Sequence, residues 1–313
     1  MNTRSLGNNG PSLTVIGFGA WAIGGSWEFG WGAVDDNESI KAIHRALDLG
    51  INWIDTAAVY GLGHSEEVVA KALKGIGQKV FIATKCGMVW DDKGVVTKSL
   101  KPESIRREVE HSLRRLQRDH IDLYQFHWPD PSTPVEDSWQ TMTDLMLEGK
   151  VRYIGVSNFS LPELERCRTV GPVHSLQPPY NMLRRQAEND LLPYCRQHGI
   201  GVVAYSPMAS GLLTGKFSFD KLAADDWRRK NHQFNELNRE KVTKLLNRLK
   251  PIAKRGNIGL GELAVAWVLR NENITSAIVG ARKPWQIDQI AGAAGIELSK
   301  EDVTTIDTFL YQF

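Results

Sequence analysis

Ile121-Asp122-Leu123-Tyr124-Gln125-Phe126, then Val135, Trp139, Met142 and Met146, then Gly149 and Val151-Arg152-Tyr153-Ile154-Gly155-Val156 read as strand, helix and strand. The two end runs alternate poorly between apolar and polar, as strands buried on both faces do. The middle residues recur at helical spacing, and Gly149 supplies a stop. Strand, helix and strand with short connections build a parallel sheet.

The same unit repeats in both directions. Further apolar runs stand at Val15-Ile16-Gly17-Phe18, Ile51 to Asp55, Val80 to Thr84, Val173 to Leu176, Gly201 to Tyr205 and Ala277-Ile278-Val279, making eight in all. Helical stripes separate them. One is Ile40, Ile43 and Leu47, with Asp36 expected as N-cap and Gly50 past the end. A second is Val68, Val69, Ala72 and Leu73 before Gly75, and a third is Ile105, Val109, Leu113 and Leu116 behind Pro102. Eight βα units predict an α/β fold closed into a (β/α)8 TIM barrel, with residues 1–313 as one domain. Ahead of it, Arg4-Ser5-Leu6 and Ser12-Leu13-Thr14 flank the turn cluster Asn8-Asn9-Gly10-Pro11, which predicts a hairpin. After the seventh strand, Phe217 to Glu240 carries mixed charge and no strand, which predicts a long loop, either a lid or a solvated insertion.

Bulk properties agree with a large globular core. Hydrophobic residues make up 42% and charged residues 24%, and the net charge of +2 points to neither nucleic acid nor an anionic membrane. The N-terminus lacks an apolar leader, and no window approaches the ~18 apolar residues of a membrane span. Cys86, Cys167 and Cys195 show no C-x-x-C spacing. Reduced thiols and a cytoplasmic location are therefore expected.

Gly17-Phe18-Gly19-Ala20-Trp21-Ala22 fits the G-x-G-x-x-A dinucleotide pattern, with Asp36 where a ribose ligand belongs. That pattern must open a helix. Here Gly24-Gly25-Ser26-Trp27-Glu28-Phe29-Gly30-Trp31-Gly32 follows, and each glycine costs a helix roughly 1 kcal/mol against alanine. A Rossmann unit is excluded, and an aromatic loop on a pocket rim is expected instead.

Function in a barrel gathers at the C-terminal strand ends. The polar residues there are Asp55, Lys85, His127, Ser157-Asn158, Gln177 and Tyr205, with Tyr60 five residues beyond Asp55. A tyrosine is a poor acid at neutral pH, with pKa near 10. An adjacent ammonium is expected to lower that value, and an aspartate to hold the lysine charged. A histidine beside them can orient a carbonyl oxygen. Such a group can protonate an alkoxide as hydride reaches carbon, and it needs no metal.

The residues Asp55-Thr56-Ala57, Tyr60-Gly61, Ser65-Glu66, Thr84-Lys85, Ser112-Leu113-Arg114-Arg115-Leu116, Asp122-Leu123-Tyr124, His127, Gly149 to Phe159 and Tyr205-Ser206-Pro207 with Gly211-Leu212-Leu213-Thr214-Gly215-Lys216 together resemble the aldo-keto reductase superfamily. Asp225-Asp226-Trp227-Arg228 is similar to the cofactor lid of the bacterial branch related to potassium-channel β subunits. The resemblance implies NADPH as cofactor, NADH binding more weakly, and a small carbonyl compound as substrate. It implies Tyr60 as general acid, Lys85 and Asp55 as its tuning pair, and His127 as carbonyl orienter. It further implies that Ala20 and Trp21 bind the cofactor, that Ser157, Asn158 and Gln177 hold the nicotinamide carboxamide, and that Tyr205 stacks on the ring. Ser206, Pro207, Met208, Ser210, Gly211, Leu212 and Lys216 would follow the pyrophosphate, and Gly280, Arg282, Gln286 and Gln289 the adenosine 2′-phosphate and adenine. The acidic residue and Asn that the family often uses at adenine are replaced here by Gln289 and Ile290. No oligomeric state is implied.

Trp21, Trp27, Phe29, Trp31, Trp90 and Trp128 offer an aromatic pocket for the substrate. Two other readings remain: a redox-sensing regulatory subunit of low turnover, and a lyase or isomerase working through a Lys85 Schiff base.

Overall fold

The turn cluster Asn8-Asn9-Gly10-Pro11 closes the hairpin in the computed structural model, which describes residues 1–76 and 79–311. Strand β1 (Thr3–Ser5) pairs antiparallel with β2 (Ser12–Thr14), Thr3 opposite Thr14. The chain continues through β3 (Ile16–Gly19), α1 (Asp36–Asp48), β4 (Trp53–Asp55), α2 (His64–Leu73) and β5 (Phe81–Cys86). A second hairpin, β6 (Met88–Trp90) with β7 (Val96–Lys98), precedes α3 (Pro102–Leu116) and β8 (Ile121–Phe126). Then come α4 (Val135–Leu147), β9 (Val151–Ser157), α5 (Leu161–Val170), β10 (Ser175–Gln177), α6 (Leu191–Gln197) and β11 (Gly201–Ala204). Helices α7 (Glu236–Arg255) and α8 (Leu260–Leu269) lead to β12 (Ser276–Gly280), α9 (Pro284–Ala291) and α10 (Lys300–Tyr311).

Strands β3, β4, β5, β8, β9, β10, β11 and β12 pair in parallel in that order, and β12 returns to β3, so the sheet closes into the expected eight-stranded barrel. Outward residues such as Phe18, Ile54, Ile82, Tyr124, Ile154 and Val202 pack in the core shared with the helices. Inward residues Trp53, Ala83, Leu123, Val203 and Ile278 pack with Leu6 and Leu13, so the N-terminal hairpin plugs one end of the barrel. The Trp53 indole fills the centre and donates to the Thr14 carbonyl at 3.2 Å. Gly17 makes room for it: a Cβ there would lie 2.1 Å from the Trp53 ring. Gly17 therefore serves barrel packing.

Side chains alternate along a strand. Two residues beyond inward Trp53, Ala83, Gly155 and Ser175 stand Asp55, Lys85, Ser157 and Gln177, so all four point inward at the other end. The register places Lys85 beside Gln125, Gln125 beside Gly155, and Gly155 beside Ser175. Two boundaries shift. Asp35, not Asp36, caps α1 by accepting from the Asn37 N–H at 2.8 Å, and Asp36 instead meets His64 and Lys71. The second barrel strand starts at Trp53, because the Ile51 N–H bonds back to Ala46 and the Asn52 side chain ties to Thr14.

Candidate active site

The loop after β4 carries Tyr60 and is held against the loop after β3. Gly61 has φ 62°, and a Cβ on it would lie 1.9 Å from the Gly24 carbonyl oxygen, so only glycine permits this approach. The Thr56 and Ser65 hydroxyls meet at 2.9 Å, and Ser65 donates to the Ala20 carbonyl. Beneath them, buried Glu66 accepts from Thr84 at 2.6 Å and from Arg115 at 2.7 Å. The Glu66–Arg115 link has no mechanistic part in the sequence reading, although Ser65-Glu66 marks its place.

The four expected chemical residues come together. The Lys85 ammonium donates to Asp55 Oδ1 and Oδ2 at 2.9 and 2.8 Å, to the Thr56 carbonyl at 2.8 Å and to Tyr60 Oη at 3.3 Å. The Tyr60 and His127 rings lie edge to face, 5.6 Å between centroids. Burial holds the Tyr60 hydroxyl well above its ordinary 10, and the Asp55 carboxylate adds to that rise. The sequence expectation is a lowering by Lys85; burial, and then Asp55, set the opposite direction. Burial also lowers Lys85, with Asp55 drawing it back up. His127 is pushed well below 6.5 by burial and then by Lys85, so its imidazole is neutral at neutral pH.

A second set is locked by its own hydrogen bonds. Gln177 Nε2 donates to Asp55 Oδ1 at 2.8 Å, and Ser157 Oγ donates to the Gln177 carbonyl at 2.9 Å. Asn158, with φ 62°, donates to the His127 carbonyl at 2.9 Å and accepts from Tyr205 Oη at 2.8 Å. Beyond Tyr205 the backbone turns sharply, with positive φ at Ser206, Ala209, Ser210 and Gly211. The Asn181 amide, unforeseen from sequence, donates to the Ser206 carbonyl at 2.8 Å and steadies that turn.

These residues open on one groove of about 1150 Å³ running from Tyr60 to Arg282 and Gln289. Every expected site residue lies on its wall except Lys85, Ala20 and Leu212. Lys85 reaches the groove through Tyr60. Ala20 and Leu212 are buried and off the wall. Trp90 is likewise off the wall, packed with the Tyr60 loop and facing Arg115 at 5.9 Å. At the far end, Gln286 Oε1 accepts from the Arg282 and Lys283 N–H groups at 2.8 and 3.1 Å. Those two backbone donors are therefore taken. Lys216 Nζ bridges the groove to Gln289 at 2.9 Å.

The loop after β11 folds over this groove in short 3-10 turns, and α7 already begins at Glu236. Arg228 is clamped by Asp226, stacks on Trp31 at 4.2 Å and donates to the Ser210 carbonyl. Trp227 packs on Trp21 at 5.0 Å, and its backbone N–H donates to the Gly30 carbonyl at 3.1 Å.

The aldo/keto reductase family model matches residues 15–310, and the chain belongs to that family. It is 38% identical to the NADH-specific methylglyoxal reductase of Escherichia coli, over 97% of each chain. It is 33% identical to a probable voltage-gated potassium channel subunit beta of Arabidopsis thaliana, over 92% of this chain and 90% of that one. The solved glycerol dehydrogenase of Gluconobacter oxydans superposes with TM-score 0.89 at 40% identity, covering 99% of this chain and 95% of that chain. These relatives bear out the bacterial branch related to channel β subunits. No helix among the described residues is long and apolar enough to cross a membrane.

Proposed function

We propose that the protein is a single-domain oxidoreductase that reduces the carbonyl of a small aldehyde, ketone or sugar, with NADPH preferred and NADH used more weakly. The observation that carries this reading is the Asp55–Lys85–Tyr60 chain, with Lys85 Nζ 3.3 Å from the phenol and His127 facing the same ring. Relatives named as a methylglyoxal reductase and a glycerol dehydrogenase support carbonyl–alcohol chemistry.

The groove suits a nicotinamide dinucleotide. Its wall carries amide groups at one end, Lys216, Arg228 and Arg282 at the other, and buried indole N–H groups of Trp31 and Trp227 with no acceptor among the described residues. Asn158 and Gln177 would hold the nicotinamide end with Ser157, and Tyr205 would face its ring beside Trp21. The turn Ser206 to Lys216 would follow the diphosphate through Pro207, Met208, Ser210 and Gly211. Arg282 with Gln286 would meet the 2′-phosphate near Gly280, and Gln289 the adenine. When bound, the dinucleotide supplies hydride to the carbonyl carbon. Tyr60, holding its proton far above neutral pH, passes it to the carbonyl oxygen. The Lys85 ammonium steadies the phenolate left behind, and Asp55 keeps that ammonium in place. Neutral His127 donates a hydrogen bond to the same oxygen.

Tyr60→Phe tests this. Turnover with a reactive aldehyde is expected to fall about 10²–10⁴-fold, the worth of general acid catalysis, while NADPH affinity stays near wild type. Retention of more than about a tenth of the rate overturns the assignment. Tight NADPH binding with no turnover in the wild type would favour the regulatory subunit instead.

A further inference from the structure

We propose that the substrate reduced at Tyr60 carries an anionic group, a carboxylate or its equivalent, seated at the groove rim between Lys98 and Trp27. The inference rests on the reductase reading and narrows its substrate class. The Tyr60 end of the groove is walled by Trp21, Trp27, Phe29, Met88, Lys98 and Trp128. Lys98 ends β7 opposite Met88, so the β6–β7 hairpin hangs its ammonium over the rim, 5.0 Å from the Trp128 ring centroid. Among the described residues no carboxylate pairs with Lys98, and the acids on the groove wall are already engaged. Asp55 accepts from Lys85 and Gln177, Asp288 from Arg45, and Glu262 from the Gly259 N–H. Glu28, next to Trp27 in sequence, is exposed and off the wall. Asp91, in the same hairpin as Lys98, is spent on the N–H groups of Lys93 and Val95.

The Trp27 indole N–H gives a second, independent sign. It is buried with no acceptor among the described residues, and its ring lies 6.4 Å from that of Tyr60. A buried donor left without an acceptor is costly, so an acceptor on the ligand is favoured there. The substrate end of the groove therefore offers the hydroxyl of Tyr60, neutral His127, an indole N–H and an unpaired ammonium, with no free acceptor of matching charge. Its aromatic floor takes a flat or apolar body, and its donors take an anionic tail.

Two aldehydes of nearly equal size decide it: 4-carboxybenzaldehyde and its uncharged methyl ester. The wild type is expected to favour the acid by about tenfold in kcat/KM, or 1.4 kcal/mol. The ratio should fall near one in Lys98→Met, invert in Lys98→Glu, and shrink in Trp27→Phe, which keeps a ring but loses the N–H. Raising the salt should also reduce the wild-type ratio. Equal kcat/KM values in the wild type, or a ratio untouched by Lys98→Glu, overturn the anionic substrate and leave the reductase reading standing. Reduction of neither aldehyde overturns that reading and this inference with it.

Discussion

Asp55 is the most heavily committed side chain at the barrel mouth, taking both Lys85 bonds and one from Gln177 while 3% exposed. Removing one partner of a buried ion pair leaves a stranded charge and costs about 3–5 kcal/mol. In Asp55→Asn, burial acts on Lys85 without its main opposing force, so its folded pKa drops further below the ordinary 10.5. The unfolded chain then binds one more proton than the folded one between that lowered value and 10.5. The stability penalty is therefore full below the folded pKa and shrinks as pH rises toward 10.5. Urea denaturation at pH 7 and pH 9.5 should show Asp55→Asn recovering toward wild type at the higher pH; an equal deficit at both would remove Lys85 from the explanation. That Asp55, Lys85 and His127 share one end of the barrel was legible, because strand ends and period two fix where they point, and Tyr60 joins them from the loop after β4. The direction of the Tyr60 shift was not, since it is a balance between burial and charge, and burial is a property of the folded site.

At the scale of elements, the eight barrel strands were readable because short apolar runs stood between helical stripes with glycine stops. The purpose of Gly17 was not, as it depends on Trp53 from the neighbouring strand. The lid was readable only as a strandless stretch. What orders it is contact with a distant loop: Trp227 on Trp21, Arg228 on Trp31, and the Asp226–Arg228 pair. That clamp is local, so its loss should open the lid without unfolding the barrel. Arg228→Ala removes a partly desolvated cation–π contact and an ion pair, together about 1–2 kcal/mol, which raises the open population roughly 5–30-fold. Limited proteolysis should cut between residues 217 and 235 faster by that factor, and saturating NADPH should slow cutting of the wild type. Equal cleavage with and without NADPH would make the loop a covering of its own aromatic neighbours and no lid on the cofactor.

At the scale of the whole molecule, the hairpin seals one end of the barrel and a long groove occupies the other, so a ligand along that groove touches strand ends, lid and α9 at once. Such a ligand stabilises the fold as a unit, by about 2.7 kcal/mol at one hundred times its Kd. Cofactor choice can then be read from melting. The 2′-phosphate is the one feature that separates NADPH from NADH, and the charge nearest its expected place is Arg282, half-buried, donating to the Trp31 carbonyl and neighboured by Arg228. Beside it, Gln286 Oε1 already occupies the backbone N–H groups of residues 282 and 283. In the proposed reading, discrimination falls mainly on the guanidinium, whose forked donors suit phosphate oxygens. Arg282→Ala should weaken NADPH by about 1.5–3 kcal/mol, the worth of a hydrogen bond to a charged group, or roughly 10–150-fold in Kd. At NADPH fixed at one hundred wild-type Kd, the gain in Tm should drop by about half or more, while the gain from NADH stays where it was. If the variant loses both gains equally, Arg282 supports the groove without reading the 2′-phosphate. A wild-type gain from NADH as large as that from NADPH would place this chain with its NADH-specific relative.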